Sequence, residues 1–346
     1  MTRTLRLGAA AALAVAALTA CSTGSTDDDA DSATEPTTNT SADADAFPVT
    51  IEHALGETTI EEEPTRVATL GWTDHDHALA LGVVPVGATA ITWGGNDAGS
   101  TAWFDAAIEE AGAEAPVRYD DADGAPIDEV AELAPDLILA TNSGLTEAEY
   151  TKLSKIAPVV AYPEAPWTTS WQDSLAMVGE ALGRTARADE LKAEAEATIE
   201  QARADNPELD GAELIYGYLT ATDLSTVGIY APEDPRVSFW HDMGMVDAPS
   251  VADAIEPGQF YGSVSAEKAS ELDSDVFLTW VETPDAVDVI ARDKLLGDIP
   301  AIASGHWYAE TDKTVTMAAT NPTPLSIPTI VSDVLPEVVK ALVGSQ

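Results

Sequence analysis

Along the chain, short apolar runs alternate with amphipathic segments. Arg66-Val-Ala-Thr-Leu-Gly71, Val83-Val-Pro-Val-Gly87, Asp136-Leu-Ile-Leu-Ala-Thr141 and Val159-Val-Ala-Tyr162 predict buried strands, each followed by loop residues or a helical pattern. That is the βα rhythm of a parallel sheet. Between these runs Asp74 is placed to cap a helix through Leu81, and Thr146–Ile156 reads as a second helix with Pro158 just beyond it. A third, from about Ser170 to Leu182, opens on a capping-box-like Ser170-x-x-Asp173 and closes before Gly183. Thr185 is then placed to cap a helix to Asp205, stopped by Asn206-Pro207. Its Leu191, Ala195, Ile199 and Ala202 fall on one stripe, and about 20 residues at 1.5 Å each give about 30 Å, enough to cross a small lobe. A second set of strand candidates follows: Glu213–Leu219, Thr226–Tyr230, Val276–Trp280 and Trp307–Tyr308.

The first 46 residues break this rhythm. Arg3 and Arg6 precede the apolar stretch Leu7–Ala17, too short to span a bilayer and suited to a secretory signal over residues 1–20. It ends Leu18-Thr19-Ala20-Cys21, which resembles a bacterial lipobox and implies cleavage before Cys21, lipidation of its thiol and a mature chain on the outer face of the membrane. The alternative is an ordinary signal followed by a cysteine of no consequence. Cys21 is the single cysteine of the chain, so an exported form has no internal disulfide. Residues 22–46 carry no aromatic or large aliphatic side chain, and the segment 21–46 is expected to be a solvated tether. Folded sequence is expected from Phe47. Its roughly 300 residues suggest two lobes, 47–184 and 207–346, joined by the helix 185–206.

Composition narrows the partners. Sixty acidic against 16 basic residues give a formal net charge of −44, which disfavours nucleic acid and anionic lipid surfaces. Either the ligand is neutral or cationic, or local arginines overcome the long-range field; a general compositional acidity is the plain alternative.

The strongest internal signal is a repeated unit. Asp128-x4-Leu133-x2-Asp136 leads into Leu137-Ile-Leu, and Glu267-x4-Leu272-x2-Asp275 leads into Val276-Phe-Leu. Each reads as a short helix opened by an acid and running into a strand; dipole compensation alone explains either acid taken singly. The order of lipobox, polar tether, Arg66–Gly71, Ala80-Leu-Gly-Val-Val-Pro-Val-Gly87, Leu133-Ala-Pro-Asp-Leu-Ile-Leu139, Ile156-Ala-Pro158 and one long helix resembles the ABC-transporter solute-binding lipoproteins for iron-siderophores, over nearly all of residues 50–346.

That resemblance implies an α/β fold of two doubly wound, Rossmann-like lobes joined by one long rigid α-helix, closing only slightly on a ligand in the cleft between them. It implies a monomer with no enzymatic cofactor, loaded with a ferric siderophore whose iron has no direct protein ligand, and docked on an ABC permease through an acid of each lobe. The matching positions are Asp128, with Glu129 beside it, and Glu267; the family usually has glutamate in both places.

Open α/β sheets bind ligands beyond the carboxyl ends of their strands. The ligand-binding candidates placed there are Trp72, Trp93, Trp167, Trp240, Trp280, Tyr119 and Tyr230, whereas Trp171 and Trp103 are expected to pack in the interior. Arg118 and Arg236 are the basic residues expected to face the ligand, the alternative being pairing with Asp120, Asp121 or Asp234. So few arginines suit a hydroxamate chelate better than a trianionic catecholate. Haem is the second ligand, with His75, His77, His241, Tyr119 and Tyr230 as axial candidates. In Asp74-His75-Asp76-His77 the two imidazoles are two residues apart and diverge on a helix, so the segment is expected to be a helix start with a solvated or cleft-edge face rather than a zinc site. Ser265-Ala-Glu-Lys268 matches a Ser-x-x-Lys pattern but lacks its partner motifs, which leaves a cell-wall hydrolase as a distant alternative.

Overall fold

The computed structural model describes residues 41–256 and 258–344. Cys21, the signal segment and most of the tether lie outside them. A hairpin of β1 (Val49–His53) and β2 (Gly56–Ile60) opens the described chain. It leads into a parallel sheet of β3 (Val67–Thr69), β4 (Gly87–Thr89), β5 (Val117–Tyr119), β6 (Leu137–Ala140) and β7 (Val159–Ala161), in the order β5-β4-β3-β6-β7. Helices α1 (Asp74–Ala80), α2 (Ala102–Ala111), α3 (Ile127–Glu132) and α4 (Glu147–Leu153) make the crossovers, and α5 (Trp171–Ala181) follows β7. Helices on both faces explain why all four residues of β6 are apolar and buried. Strand order reverses between β3 and β6, so the crevice of this lobe opens at their carboxyl ends.

The helix α6 (Thr185–Asp205) has 21 residues and carries the chain to a second sheet. Its Leu191, Ala195, Ile199 and Ala202 are buried in a core that also contains Val67 and Leu137 of the first sheet and Leu214 and Val276 of the second. The second sheet holds β8 (Glu213–Thr220), β9 (Asp223–Tyr230), β10 (Val246–Asp247), β11 (Tyr261–Ser265), β12 (Val276–Trp280) and β13 (Trp307–Glu310), ordered β11-β9-β8-β12-β13 with β10 beside β8. Strands β8, β12 and β13 run parallel, whereas β9 and β11 are antiparallel to their neighbours. The two-residue β10 also pairs parallel with β8, at Glu213 and Leu214, so the centre of this lobe is parallel-wound and only its β9–β11 edge is antiparallel. Ala221 and Thr222 alone join β8 to β9, too short a link for the crossover that a parallel pair needs.

Local chemistry accounts for most boundaries. Thr146 forms a full capping box with Glu149, and Ser170 accepts from the Asp173 N–H at 3.0 Å. Thr185 and Asp74 are not caps: Arg184 and Thr73 hold those positions, and Asp74 Oδ1 instead accepts from the backbone N–H and hydroxyl of Thr141 at 2.9 and 2.7 Å. The strand expected over Val83–Gly87 begins at Gly87, beyond Pro85, which has no N–H to give a ladder. Residues before Phe47 already adhere to the fold, since Asp43 N–H donates to Gly183 O at 2.7 Å and Asp43 Oδ2 accepts from Ala186 N–H at 3.1 Å.

The repeat has a structural core. Asp136 N–H donates to Arg66 O and its carboxylate accepts from Arg66 N–H; Asp275 N–H donates to Glu213 O and its carboxylate accepts from Glu213 N–H. In both lobes this last acid staples its own strand to the start of the neighbouring parallel one. The first acids, Asp128, Glu129 and Glu267, all stay exposed, on α3 and on a 3-10 turn spanning Ala266–Glu271.

The segment Asp74–His77 is corrected. All four side chains are buried, at 0, 1, 3 and 0 % exposure, because α1 is covered by α2, α5 and the loop around Thr323. Burial pushes the His77 pKa down to about 3, so its imidazole is neutral. Among the described residues no group of three or more His, Cys, Asp or Glu side chains converges to hold a metal ion.

Candidate functional site

The crevice between the two sheets contains two connected cavities. One, of about 320 Å³, is walled by Trp72 and Trp93 from the first lobe and by Tyr216, Gly217, Tyr218, Tyr230, Arg236, Trp280, Thr316 and Thr320 from the second. The other, of about 200 Å³, has Trp72, Asn142 and Trp167 on one side and Pro235, Arg236, Phe260, Thr320 and Asn321 on the other. Trp72, Arg236 and Thr320 belong to both, so they form the waist of a single cleft.

Topology delivers these side chains. Trp72 follows β3 and Asn142 follows β6, the two strands on either side of the reversal of order. Gly71 lets the β3 turn pass close to α1: a Cβ there would lie 1.8 Å from Asp74 Oδ2 and 2.8 Å from Asn142 O. Trp167 has a left-handed backbone, φ 64°, and its indole lies against Gly144, where any Cβ would come within 2.7 Å of Nε1.

In the second lobe Tyr218 and Trp280 are register partners at the carboxyl ends of β8 and β12, and their rings stack at 6.4 Å and 14°. Trp93 meets Trp280 edge-on across the cleft, centroids 5.1 Å apart. Tyr216 and Tyr261 flank Tyr230 at 5.9 and 5.4 Å.

One guanidinium enters this aromatic wall. Asp234 is the N-cap of the helix α7 (Pro235–Asp242), and its Oδ1 accepts from Arg236 N–H at 3.0 Å and Arg236 Nε–H at 2.6 Å. The same guanidinium sits with Cζ 3.7 Å from the Tyr230 ring centroid. Burial works against the Arg236 charge, but Asp234 and the phenols of Tyr230 and Tyr216 outweigh it and raise its pKa further. Pairing with Asp234 and facing the cleft, alternatives at the level of sequence, hold together here.

Three candidates are corrected. Tyr119 is 1 % exposed and its hydroxyl donates to Thr69 O inside the first lobe, because β5 turns this position toward the core. Arg118, on the other side of that strand, donates to Thr89 O at 3.0 Å and Ser100 Oγ at 2.9 Å and lies over the Phe104 ring, outside both cavities. Trp240 is 0 % exposed on the inner face of α7. Trp171 is a core residue, with Nε1 donating to Asp242 Oδ2 at 3.1 Å, and Trp103 is half-buried against Asp76.

The candidates missed Tyr216, Tyr218, Phe260, Asn142 and the helix residues Thr316 and Thr320. Tyr216 and Tyr218 carried a readable signal, the period of two along β8 that puts both on one face. Phe260, Asn142, Thr316 and Thr320 had none, since their approach to the cleft is set by the packing of other elements.

Two lobes with their ligand-sized crevice at strand ends define a periplasmic-binding class of protein. Residues 67–314 match the family described as periplasmic binding protein, and the chain belongs to that family. It is similar to PiaA of Streptococcus pneumoniae TIGR4 in complex with ferrichrome, at 36 % identity and a TM-score of 0.81 over 85 % of this chain and 98 % of that one. A periplasmic solute binding protein from Mycobacterium smegmatis matches at 30 % identity and a TM-score of 0.70, over 85 % of this chain and 98 % of its own. Staphylococcus aureus SirA complexed with staphyloferrin B shares the fold at 22 % identity and a TM-score of 0.66, over 84 and 98 % of the two chains. No curated protein matches the chain significantly. The chain is thus a substrate-binding protein of the ABC-transporter type, structurally close to siderophore binders.

Proposed function

We propose that this protein captures a ferric siderophore of the hydroxamate type outside the cytoplasm and delivers it to an ABC permease while tethered to the membrane through lipidated Cys21. The observation that carries the reading is the cleft wall: Trp72, Trp93, Trp280, Tyr218 and Tyr230 supply broad apolar faces, and the single arginine among them is already paired with a carboxylate. Such a wall buries the organic arms of a bulky chelate and presents little net positive charge to a trianionic one. The similar PiaA structure holds ferrichrome, a hydroxamate chelate, which supports the same class.

The haem alternative loses ground on geometry. His75, His77 and Tyr119 are buried in the first lobe and His241 is paired with Asp247 at 3.0 Å, so of the five axial candidates Tyr230 alone lines the cleft, beside Tyr216 and Tyr218. Burial raises its pKa against the phenolate that would ligate iron. As for enzyme chemistry, Ser265 of the Ser-x-x-Lys match receives the Glu267 N–H as the cap of its 3-10 turn.

Exposed Asp128, Glu129 and Glu267, one cluster on each lobe, are the proposed permease contacts of a monomer. Titration of tryptophan fluorescence with ferrichrome, a ferric triscatecholate, ferric citrate and haemin tests the proposal. Saturable quenching by ferrichrome, weakened about tenfold or more by Trp72→Ala, is expected; binding of haemin alone overturns it.

A further inference from the structure

We infer that Asp234 sets the charge of the ligand this cleft accepts, by holding the Arg236 guanidinium against Tyr230 and cancelling its charge, so that an uncharged chelate is selected over an anionic one. The inference rests on the siderophore reading and adds its specificity-determining residue.

Asp234 touches no cavity itself. It is 1 % exposed and lies behind Arg236, which lines both compartments of the cleft. Proline at the next position and the N-cap backbone, φ −64° and ψ 132°, fix where the carboxylate stands. From there Oδ1 takes both the Arg236 backbone N–H and the side-chain Nε–H, so the acid orients the base two residues on. With Nε committed, only the terminal nitrogens remain to meet a ligand oxygen.

The charge argument follows from burial. A carboxylate and a guanidinium at 2.6 Å present to the cavity the field of a dipole, which decays faster than that of a lone cation. Among the described residues Arg236 is the only arginine lining the two cavities, and the full sequence carries a formal net charge of −44. An uncharged ferric trihydroxamate can accept hydrogen bonds from the guanidinium without facing a bare field. A trianionic catecholate or carboxylate finds no uncompensated cation within that lining to offset its desolvation, and Lys313, whose Nζ lies 5.7 Å from the Trp280 ring centroid, stands outside it.

The plain role for Asp234 is helix capping, and the test separates the two. Asp234→Asn keeps a good capping acceptor and the side-chain shape while removing the charge; Asp234→Ser keeps a capping hydroxyl alone. Wild type and both variants, as the mature chain, are titrated by tryptophan fluorescence with ferrichrome, with a ferric triscatecholate and with iron-free citrate. Ferrichrome affinity is expected to fall severalfold as Arg236 loses its orientation, while affinity for the two anions rises, moving the anion-to-neutral ratio about tenfold or more in both variants. The double variant Asp234→Asn, Arg236→Gln is expected to return the ratio toward wild type.

A purely structural role weakens all ligands by one common factor, and that result overturns the inference, as does an unchanged ratio. If wild type binds neither ferric chelate, the siderophore reading fails by itself. The citrate arm then still judges Asp234, because Asp234→Asn showing no gain of saturable citrate quenching refutes its charge-cancelling role.

Discussion

Trp240 and Trp280 have the same credentials as residues beside loops, yet one ends with no exposure inside the second lobe and the other forms the cleft wall. The difference is register. Trp280 is the last residue of β12, stacked on its partner Tyr218, whereas Trp240 sits on the helix face that α7 turns to the core. Trp240→Ala should therefore destabilise the protein by about 3–5 kcal/mol in chemical denaturation, the scale of a large core truncation. Trp280→Ala should instead weaken ferrichrome binding about tenfold or more, with a smaller change in stability. Tyr119→Phe, which removes the phenol donor from Thr69 O, should cost about 1 kcal/mol and leave ligand affinity unchanged.

Elements show why some of the fold was legible and some was not. Strands β3, β6 and β7 announced themselves because helices cover both faces, which demands unbroken apolar runs. The edge strand β5 has only three residues, with Val117 55 % exposed, and therefore no apolar run to read. The repeated acid-x4-Leu-x2-Asp unit was visible, but the job of its final aspartate was not, since the partner backbone lies about 60–70 residues upstream in sequence. Asp136 accepts from Thr65 N–H, Thr65 Oγ–H and Arg66 N–H, whereas Asp275 accepts from Glu213 N–H alone. Asp136→Ala should therefore lower stability more than Asp275→Ala, by about 1 kcal/mol after allowing for solvent screening. Although partial burial opposes it, those donors hold the Asp136 pKa below its usual value. Its contribution is present above the unfolded-state pKa and is lost as pH falls through the folded one.

At the scale of the molecule the two lobes share more than α6. Asp76 Oδ2, on α1, accepts from Trp103 Nε1 at 2.7 Å and from Thr323 Oγ1 at 2.8 Å, and Asp242 Oδ2, at the end of α7, accepts from Trp171 and Gln172 of α5. With the core that runs through both sheets, these ties favour a stiff hinge and small closure. Burial pushes the Asp76 pKa up to about 6, with Thr323, Trp103 and Arg118 opposing, while His75 beside it stays neutral. A raised carboxylate pKa means that ionisation costs stability as pH climbs from about 4 to about 6 and that the full penalty persists above. Asp76→Asn keeps an acceptor for both donors without that penalty. Its stability relative to wild type should rise by on the order of 3 kcal/mol between pH 4 and 7 in parallel urea titrations.

The sequence by itself determined the βα rhythm of the first lobe, the long helix between lobes, the repeat and a set of aromatic candidates, because local periodicity and capping are written within a few residues. Tertiary structure alone decided which aromatics face the crevice, how Asp74–His77 became buried, and that Arg236 both pairs with Asp234 and lines the cleft. Those outcomes depend on strand register and on which elements cover one another, contacts between residues far apart in the chain that no local pattern encodes.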